Sequence, residues 1–174
     1  MIKKVEITSM PASGEYDEVV YDIQNSWNSQ YYAWIKFQDD EYNEWYGSFR
    51  GRGLGVGISF KYKSVIVLTS DYFFELDYET GNLKSYIDSD NYNQLTVTPQ
   101  GDFLASDCYR IEKFINLDSD WKLISTPLEM DMVKFLEWNG NDLSISFDEF
   151  LNWDNHCIMI YNSLTEECSI KNCT

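Results

Sequence analysis

Apolar and polar residues alternate along most of this chain with the two-residue period of a β-strand. Residues 143–147 alternate in this way directly after a turn of Asn, Gly and Asp residues, and residues 65–69 form a short apolar run of the kind that fills a buried strand. The same patterns predict strands at 31–37, 65–69, 73–77, 83–87, 95–98, 103–105, 109–115, 143–147, 157–161 and 168–170. The sequence therefore predicts an all-β fold built from antiparallel meanders.

Helical periodicity is scarce. The best candidate is 127–136, where Pro127 suits a first turn and Leu128, Met132 and Phe135 fall near helical spacing. Residues 9–17 read as a loop, and no stretch is long enough to serve as a linker between domains. We therefore expect a single β-rich domain over residues 1–174.

A weak internal repeat combines a turn, an Asp or Ser, and an apolar alternation. Its equivalent positions are Val65, Phe103 and Leu143, spaced by about 40 residues, which is near the length of one propeller blade. This spacing favours a partial or small propeller-like arrangement of successive meanders. Turn signals every 8–12 residues occur in any all-β chain, so coincidence is the alternative explanation.

Glycine occupies every second position from Gly51 to Gly57. The run lacks the Lys and Ser or Thr of a phosphate-binding loop, and the residues that follow it are strand-like. Glycine at alternate positions removes the side chains from one face of a strand. The run therefore predicts a bulge, a bend or close packing by a large aromatic side chain.

The charge balance narrows the possible partners. Lys and Arg number 13 and Asp and Glu number 29, which gives a net charge of −16, while aromatic residues make up 17% of the chain. Binding to nucleic acid or to anionic membranes is disfavoured, because both need clustered basic residues. The favoured partner is a basic protein.

The first residues contain two lysines and a glutamate and no apolar core of a signal peptide, so we expect a cytoplasmic location. The cysteines are Cys108, Cys157, Cys168 and Cys173, and we expect them to be reduced thiols. Only Cys168 and Cys173 approach the spacing of paired zinc ligands, and a disulfide remains an alternative. We expect no metal and no cofactor.

No arrangement of residues singles out a catalytic site. His156 is the sole histidine and adjoins an apolar strand, which predicts a buried or turn residue rather than a catalytic base. The pair Asp88 and Asp90 hints at calcium, but Tyr92 follows and the turn glycine of a calcium loop is missing. A glycosidase would use two carboxylates at a fixed separation, and no pair stands out. We expect a non-enzymatic protein.

Aromatic residues interleave with carboxylates in three turn-like segments. Such loops suit a basic protein surface, since carboxylates steer the approach and pair with Lys and Arg while aromatic rings supply contact area. The alternative is that charged loops merely keep a β-rich protein soluble and block edge pairing. The predicted partner-binding residues are Asp39, Asp40, Glu41, Tyr42, Glu44, Asp88, Asp90, Tyr92, Asp118, Asp120 and Trp121.

The order of segments 45–51, 67–71, 95–102, 126–132 and 135–138 resembles small cytoplasmic immunity proteins of bacterial contact-dependent growth-inhibition and other polymorphic toxin systems. The resemblance covers about 45–140. It implies a stoichiometric inhibitor of a cognate toxin domain, and many such toxins are nucleases with a basic cleft that an acidic protein can occlude. It carries over no binding residue.

Two other functions remain open from the sequence. An acidic, Trp-rich chain also suits a carbohydrate-binding or carbohydrate-cleaving module. A subunit of a larger scaffold that pairs through exposed strand edges is a third possibility, and it predicts self-association.

Overall fold

The computed structural model describes residues 1–12, 14 and 16–174, so Ser13 and Glu15 of the predicted loop lie outside the described residues. Every regular element in this part of the chain is a β-strand, and no helix long and apolar enough to cross a membrane is found there. The predicted all-β fold is confirmed.

Sixteen strands form four sheets of four strands each. The first sheet contains β1 (Ile2–Thr8), β2 (Asp17–Tyr21), β3 (Tyr32–Asp39) and β4 (Glu44–Arg50). The second contains β5 (Gly53–Ser59), β6 (Ser64–Thr69), β7 (Tyr72–Asp77) and β8 (Leu83–Asp88). The third contains β9 (Gln94–Val97), β10 (Phe103–Ser106), β11 (Ile111–Phe114) and β12 (Lys122–Leu123). The fourth contains β13 (Met130–Asn139), β14 (Asp142–Glu149), β15 (Asn152–Asn162) and β16 (Glu167–Cys173).

The second, third and fourth sheets are simple antiparallel meanders, in agreement with the prediction. The first sheet differs, because its strand order is β1-β3-β4-β2 and β2 runs parallel to β4. The repeat positions Val65, Phe103 and Leu143 lie on β6, β10 and β14, the second strands of three successive sheets. The repeat therefore marks one four-stranded meander per unit.

The sheets pack in a row, and a hydrophobic core separates each from the next. β6 shows why: Val65 and Val67 face the first sheet, whereas Ile66 and Leu68 face the third. A third core lies between the third and fourth sheets and includes Leu104. Among the described residues, the first and fourth sheets each contribute to one of these cores only. The four sheets thus form an open row of stacked, mostly antiparallel units.

Successive sheets meet mainly through their first strands, since β1 packs on β5, β5 packs on β9, and β9 packs on β13. β3 also contacts β5. The glycines of β5 permit this approach. A Cβ at Gly55 would lie 2.7 Å from Leu95 Cβ, and one at Gly57 would lie 2.4 Å from Val97 Cγ2. A bulge also interrupts the register between Gly53 and Gly55. The predicted bulge and close packing are confirmed, but the packing partners are aliphatic rather than aromatic.

The helical candidate at 127–136 is wrong, because most of it belongs to β13. That strand pairs with β14 from Met130 to Asn139, with register irregularities between Asp131 and Lys134 and between Phe135 and Trp138. Each irregularity inserts residues into the ladder and shifts the alternation of faces. The shifted alternation buries Met130 and Val133, three positions apart as on a helix face, whereas Met132 of the predicted helical stripe is 52% exposed.

The expectation of reduced thiols is wrong for two of the cysteines. Cys157 on β15 and Cys173 on β16 lie directly opposite in the ladder, with Cα atoms 4.1 Å apart, and they form a disulfide. The pairing depends on the register of this hairpin, which their separation of 16 residues does not reveal. Cys108 and Cys168 are free thiols.

Candidate functional site

The loops that join the strands collect at two opposite ends of the sheets. The lower end comprises residues 39–44, 60–63, 77–82, 98–102, 115–122, 139–142 and 162–167. Its loops are linked by the ion pairs and hydrogen bonds Met1–Asp40, Ile2–Tyr78, Tyr78–Lys63, Lys61–Asp102, Asp102–Lys113 and Lys113–Glu166. The upper end comprises residues 22–31, 50–52, 70–71, 88–93, 106–110, 123–133 and 149–155. Its loops are linked by the backbone hydrogen bonds Gly51–Tyr31, Ser70–Arg52, Ser89–Asp71, Asn93–Ser106, Val133–Cys108 and Phe150–Glu129.

The turn between β3 and β4, at the lower end, is held by its own carboxylates. Asp39 accepts hydrogen bonds from the backbone of Glu41 and Asn43 and from the Asn43 side chain, all within 2.9 Å. The bond from the Asn43 side chain lowers the pKa of Asp39. The Asp40 carboxylate lies 2.7 Å from the terminal amino group of Met1, and this contact lowers its pKa. Asp39 therefore holds the turn itself, and Asp40 ties the turn to Met1.

Tyr42 is the most exposed side chain of the same turn. It is 81% exposed and adopts a left-handed backbone conformation with φ of 65°. Glu44 is 2.8 Å from Lys36 on the adjacent strand, so its charge is already paired. Of the predicted residues in this turn, Glu41 and Tyr42 are left facing solvent.

Trp121 is also at the lower end, but its side chain packs inward. Its ring stacks on Phe114 at 3.9 Å and lies edge-on to Phe73 at 5.4 Å, so it belongs to the core between the second and third sheets. Asp118 and Asp120 are exposed beside it.

The segment with Asp88, Asp90 and Tyr92 lies at the upper end. Asp88 and Asp90 are exposed, while the buried Ser89 anchors the segment by donating to the Ser70 carbonyl at 3.0 Å. Tyr92 is buried, packs on Phe73 and donates its hydroxyl hydrogen bond to Glu112. Tyr92 therefore offers no ring face to a partner.

The predicted partner-binding residues do not form one surface. The Asp39–Glu44 and Asp118–Trp121 segments lie at the lower end, and Asp88 and Asp90 lie at the upper end. Loop composition alone could not distinguish the two ends, because the end to which a loop belongs depends on strand order and direction.

The upper end also gathers aromatic side chains that the sequence analysis missed. Trp27 is 92% exposed and lies in the loop between β2 and β3. Trp153 is 67% exposed and lies at the bulged end of the β14–β15 hairpin. The exposed aromatic residues of this end are Trp27, Tyr31, Tyr109, Phe150 and Trp153. No pattern within any single loop indicates this grouping, which arises when the four sheets stack.

Carboxylates lie at the same end of the molecule as these rings. Two of the upper-end acids are neutralised, since Arg50 forms two hydrogen bonds of 2.8 and 2.6 Å with Asp22, and Arg110 lies 3.3 Å from Asp107. Among the described residues, the upper-end carboxylates that form no ion pair are Asp71, Asp88, Asp90, Glu129, Asp131, Glu149 and Asp154. Hydrogen bonds from Asn155 and Asn152 lower the pKa of Glu149, which keeps it ionised. The upper end thus combines exposed rings with unneutralised negative charge.

An apolar cleft opens at the upper end between the third and fourth sheets. It encloses about 570 Å³, and Tyr109 and Phe150 form its wall with ring centroids 6.1 Å apart. Its other apolar lining residues are Leu123, Ile124, Pro127, Leu128 and Met130. Arg110 and Glu129 supply the charged groups of the lining.

The residues considered for catalysis and metal binding are placed apart from this cleft. His156 is exposed on β15, contrary to the prediction of a buried or turn residue, and its Nδ1 lies 2.6 Å from Asp148 Oδ1 on the neighbouring strand. In the part of the chain that the structure describes, no group of three or more His, Cys, Asp or Glu side chains is arranged to hold a metal ion.

No family model matches this chain, and a search of curated proteins returns no significant match. The function is therefore argued from the geometry of the chain itself.

Proposed function

We propose that this protein is an immunity protein, a non-enzymatic inhibitor that acts in the cytoplasm and neutralises a cognate secreted toxin. The toxin is a basic protein, a nuclease, and the inhibitor occludes its active-site cleft with an acidic surface. The proposal assigns this surface to the upper end. The observation that carries it is the grouping there of exposed aromatic rings with carboxylates that have no cationic partner.

Both components of the upper end have a physical role in tight protein binding. Unpaired carboxylates attract a basic partner from beyond contact distance and raise the association rate. Exposed Trp and Tyr side chains supply the few contacts that dominate binding energy in most interfaces. The lower end also has exposed carboxylates without an ion pair, such as Glu41, Asp118 and Asp120. Its exposed aromatic residues, however, are only Tyr42 and Phe60 among the described residues, so the exposed rings distinguish the upper end.

The experiment uses the product of the gene adjacent to the one that encodes this chain, tested for toxicity and then expressed in an inactive form. Association rates are measured from low to physiological salt for the wild type, for Asp88→Asn with Asp90→Asn, and for Asp118→Asn with Asp120→Asn. Each double variant removes the same charge from an exposed loop. We expect the upper-end variant to associate several-fold more slowly at low salt and with a weaker salt dependence, because steering depends on local charge.

A larger change in association rate for the lower-end variant would show that the interface lies at the Asp39–Glu44 and Asp118–Trp121 loops. Failure of the neighbouring protein to bind, or to lose its toxicity when bound, would refute the immunity function.

A carbohydrate-binding or carbohydrate-cleaving module is the second candidate. The observation that favours it is a cleft of the size that encloses small ligands, lined by the exposed rings of Tyr109 and Phe150, with the exposed Trp153 at the same end of the molecule. It predicts a saturable change in tryptophan fluorescence on addition of a soluble glycan, which Trp153→Ala would reduce. The immunity function predicts no such change.

A further inference from the structure

The apolar cleft of the upper end is suited to a specific kind of protein segment. Its wall is an aromatic corner formed by Tyr109 and Phe150, and its floor includes Leu128 and the buried Met130. One or two bulky apolar side chains can be removed from water against such a surface, which favours their binding.

The cleft also lies beside a free strand edge. β12 is the last strand of the third sheet and, among the described residues, pairs with β11 alone, and its residue Leu123 lines the cleft. An extended segment laid in the cleft therefore passes the outer edge of this two-residue strand, in the way that extended peptides approach sheet edges. The geometry favours an extended occupant over a helical one.

The charges around the cleft favour an occupant that carries positive charge. Arg110 is the only cation that lines it among the described residues, and Asp107 and Glu112 lie 3.3 and 3.6 Å from its guanidinium. Glu129 lines the cleft and forms no ion pair there. Asp131 follows Glu129 by two residues at the start of β13, and Glu149 pairs with the intervening Met130 in the ladder of β13 and β14. The cleft is therefore apolar inside and negative at its rim.

We infer that this cleft receives an extended cationic segment of the partner, in which a bulky apolar side chain enters the cleft and flanking Arg or Lys side chains pair with Glu129 and its neighbouring carboxylates. The inference rests on the proposed function in one respect, since it takes the partner to be the basic toxin. It adds the chemistry of the segment and the residues that hold it.

Two synthetic peptides test the chemistry without the toxin. Acetylated, amidated peptides of sequence Arg-Trp-Arg and Glu-Trp-Glu are titrated into the isotope-labelled full-length protein at low salt, and backbone amide shifts are followed by NMR. We expect the basic peptide to bind at least tenfold more tightly than the acidic one, because the rim is negative. The shifted amides should map to 107–112, 122–131 and 148–152.

Three variants separate the contributions. Phe150→Ala removes one side of the aromatic corner and should weaken the basic peptide at least fivefold. Glu129→Gln should leave the acidic peptide unaffected or tighter and weaken the basic one. Phe60→Ala is the matched control, because Phe60 is an exposed phenylalanine in a lower-end turn and should leave both titrations unchanged.

Equal binding of the two peptides, or shifts that map elsewhere, would overturn the inference. The toxin gives an independent decision. If it binds the wild type, and Phe150→Ala and Glu129→Gln bind it equally well, the cleft inference fails while the immunity function stands. If the peptides bind as expected and the toxin does not bind, the immunity function fails and the chemistry of the cleft remains.

Discussion

Glu75 on β7 shows how one acidic side chain is committed to the fold. It is 2% exposed and lies between the second and third sheets. Its carboxylate accepts hydrogen bonds from Ser64 Oγ at 2.6 Å, Lys84 Nζ at 2.8 Å and the Leu117 backbone at 3.0 Å. Burial by itself raises the pKa of Glu75, but the bonds from Lys84, Ser64 and Leu117 outweigh it and hold the pKa below its ordinary value. Such carboxylates cannot serve a partner.

We expect Glu75→Gln to lower the free energy of unfolding at pH 7 by about 2 kcal/mol, because hydrogen bonds to a charged group are lost. Since the folded-state pKa lies below that of the unfolded chain, near 4.3, the stabilisation is complete above pH about 4.3. It is lost as the pH falls through the folded-state pKa. Urea unfolding at pH 7 and pH 3 should show a gap between wild type and variant that narrows in acid.

The matched control is Glu79→Gln, since Glu79 pairs with Lys63 at 3.0 Å on the surface. Exposed ion pairs contribute about 0–1 kcal/mol. An equal loss from the two substitutions would mean that the buried network around Glu75 contributes no more than a surface pair.

The packing of β5 against β9 determines how closely the second and third sheets approach. We expect Gly55→Ala to destabilise the protein by about 1–3 kcal/mol, because the added methyl group would overlap Leu95. The double variant Gly55→Ala with Leu95→Gly tests the cause, since glycine at position 95 lacks the Cβ that the added methyl group would overlap. Chemical denaturation of the four members of this cycle should show that the two changes together cost less than their sum. Simple additivity would indicate that Gly55 is needed for another reason.

The β15–β16 hairpin carries the disulfide that the sequence analysis did not expect. We expect thiol titration under denaturing conditions to find the two free cysteines, Cys108 and Cys168, and all four after reduction. Reduction should lower the free energy of unfolding by about 3 kcal/mol, because the bond closes a short loop in the unfolded chain. Finding four reactive thiols without reductant would show that the bond is absent from the purified protein. Cys157→Ser is the control, since its stability should not change with reductant.

The strands were more predictable than the partnerships between them. Val65, Phe103 and Leu143 marked equivalent strands because each meander repeats the same local pattern of turn and alternation. The parallel pairing of β2 with β4, the opposition of Cys157 and Cys173, and the burial of Tyr92 all depend on contacts between residues distant in sequence. For the same reason the sequence indicated acidic aromatic loops but could not separate the upper end from the lower end.

The molecule as a whole is an open row of sheets with a strongly negative surface. Each middle sheet is buried on both faces, so stability comes mainly from the three cores rather than from charge pairs. The ion pairs are mostly at the surface, where each contributes little. The remaining carboxylates repel one another in the folded state, and this repulsion is relieved when the chain unfolds and its charges separate.

Salt should therefore stabilise this protein. Raising NaCl from 10 to 300 mM shortens the screening length from about 30 Å to less than 10 Å, which weakens repulsion among charges that lie loops apart. We expect Tm to rise by about 2–4 °C, the shift that corresponds to about 1 kcal/mol in a chain of this size.

The triple variant Glu41→Gln, Asp118→Asn, Asp120→Asn removes exposed lower-end charges without touching an ion pair or the proposed binding surface. It should have a higher Tm than the wild type at 10 mM salt and a smaller rise at 300 mM, as measured by circular dichroism. A Tm that falls with added salt would show that attraction within the ion pairs outweighs repulsion among the unpaired carboxylates. The excess negative charge would then not lower the stability of the fold.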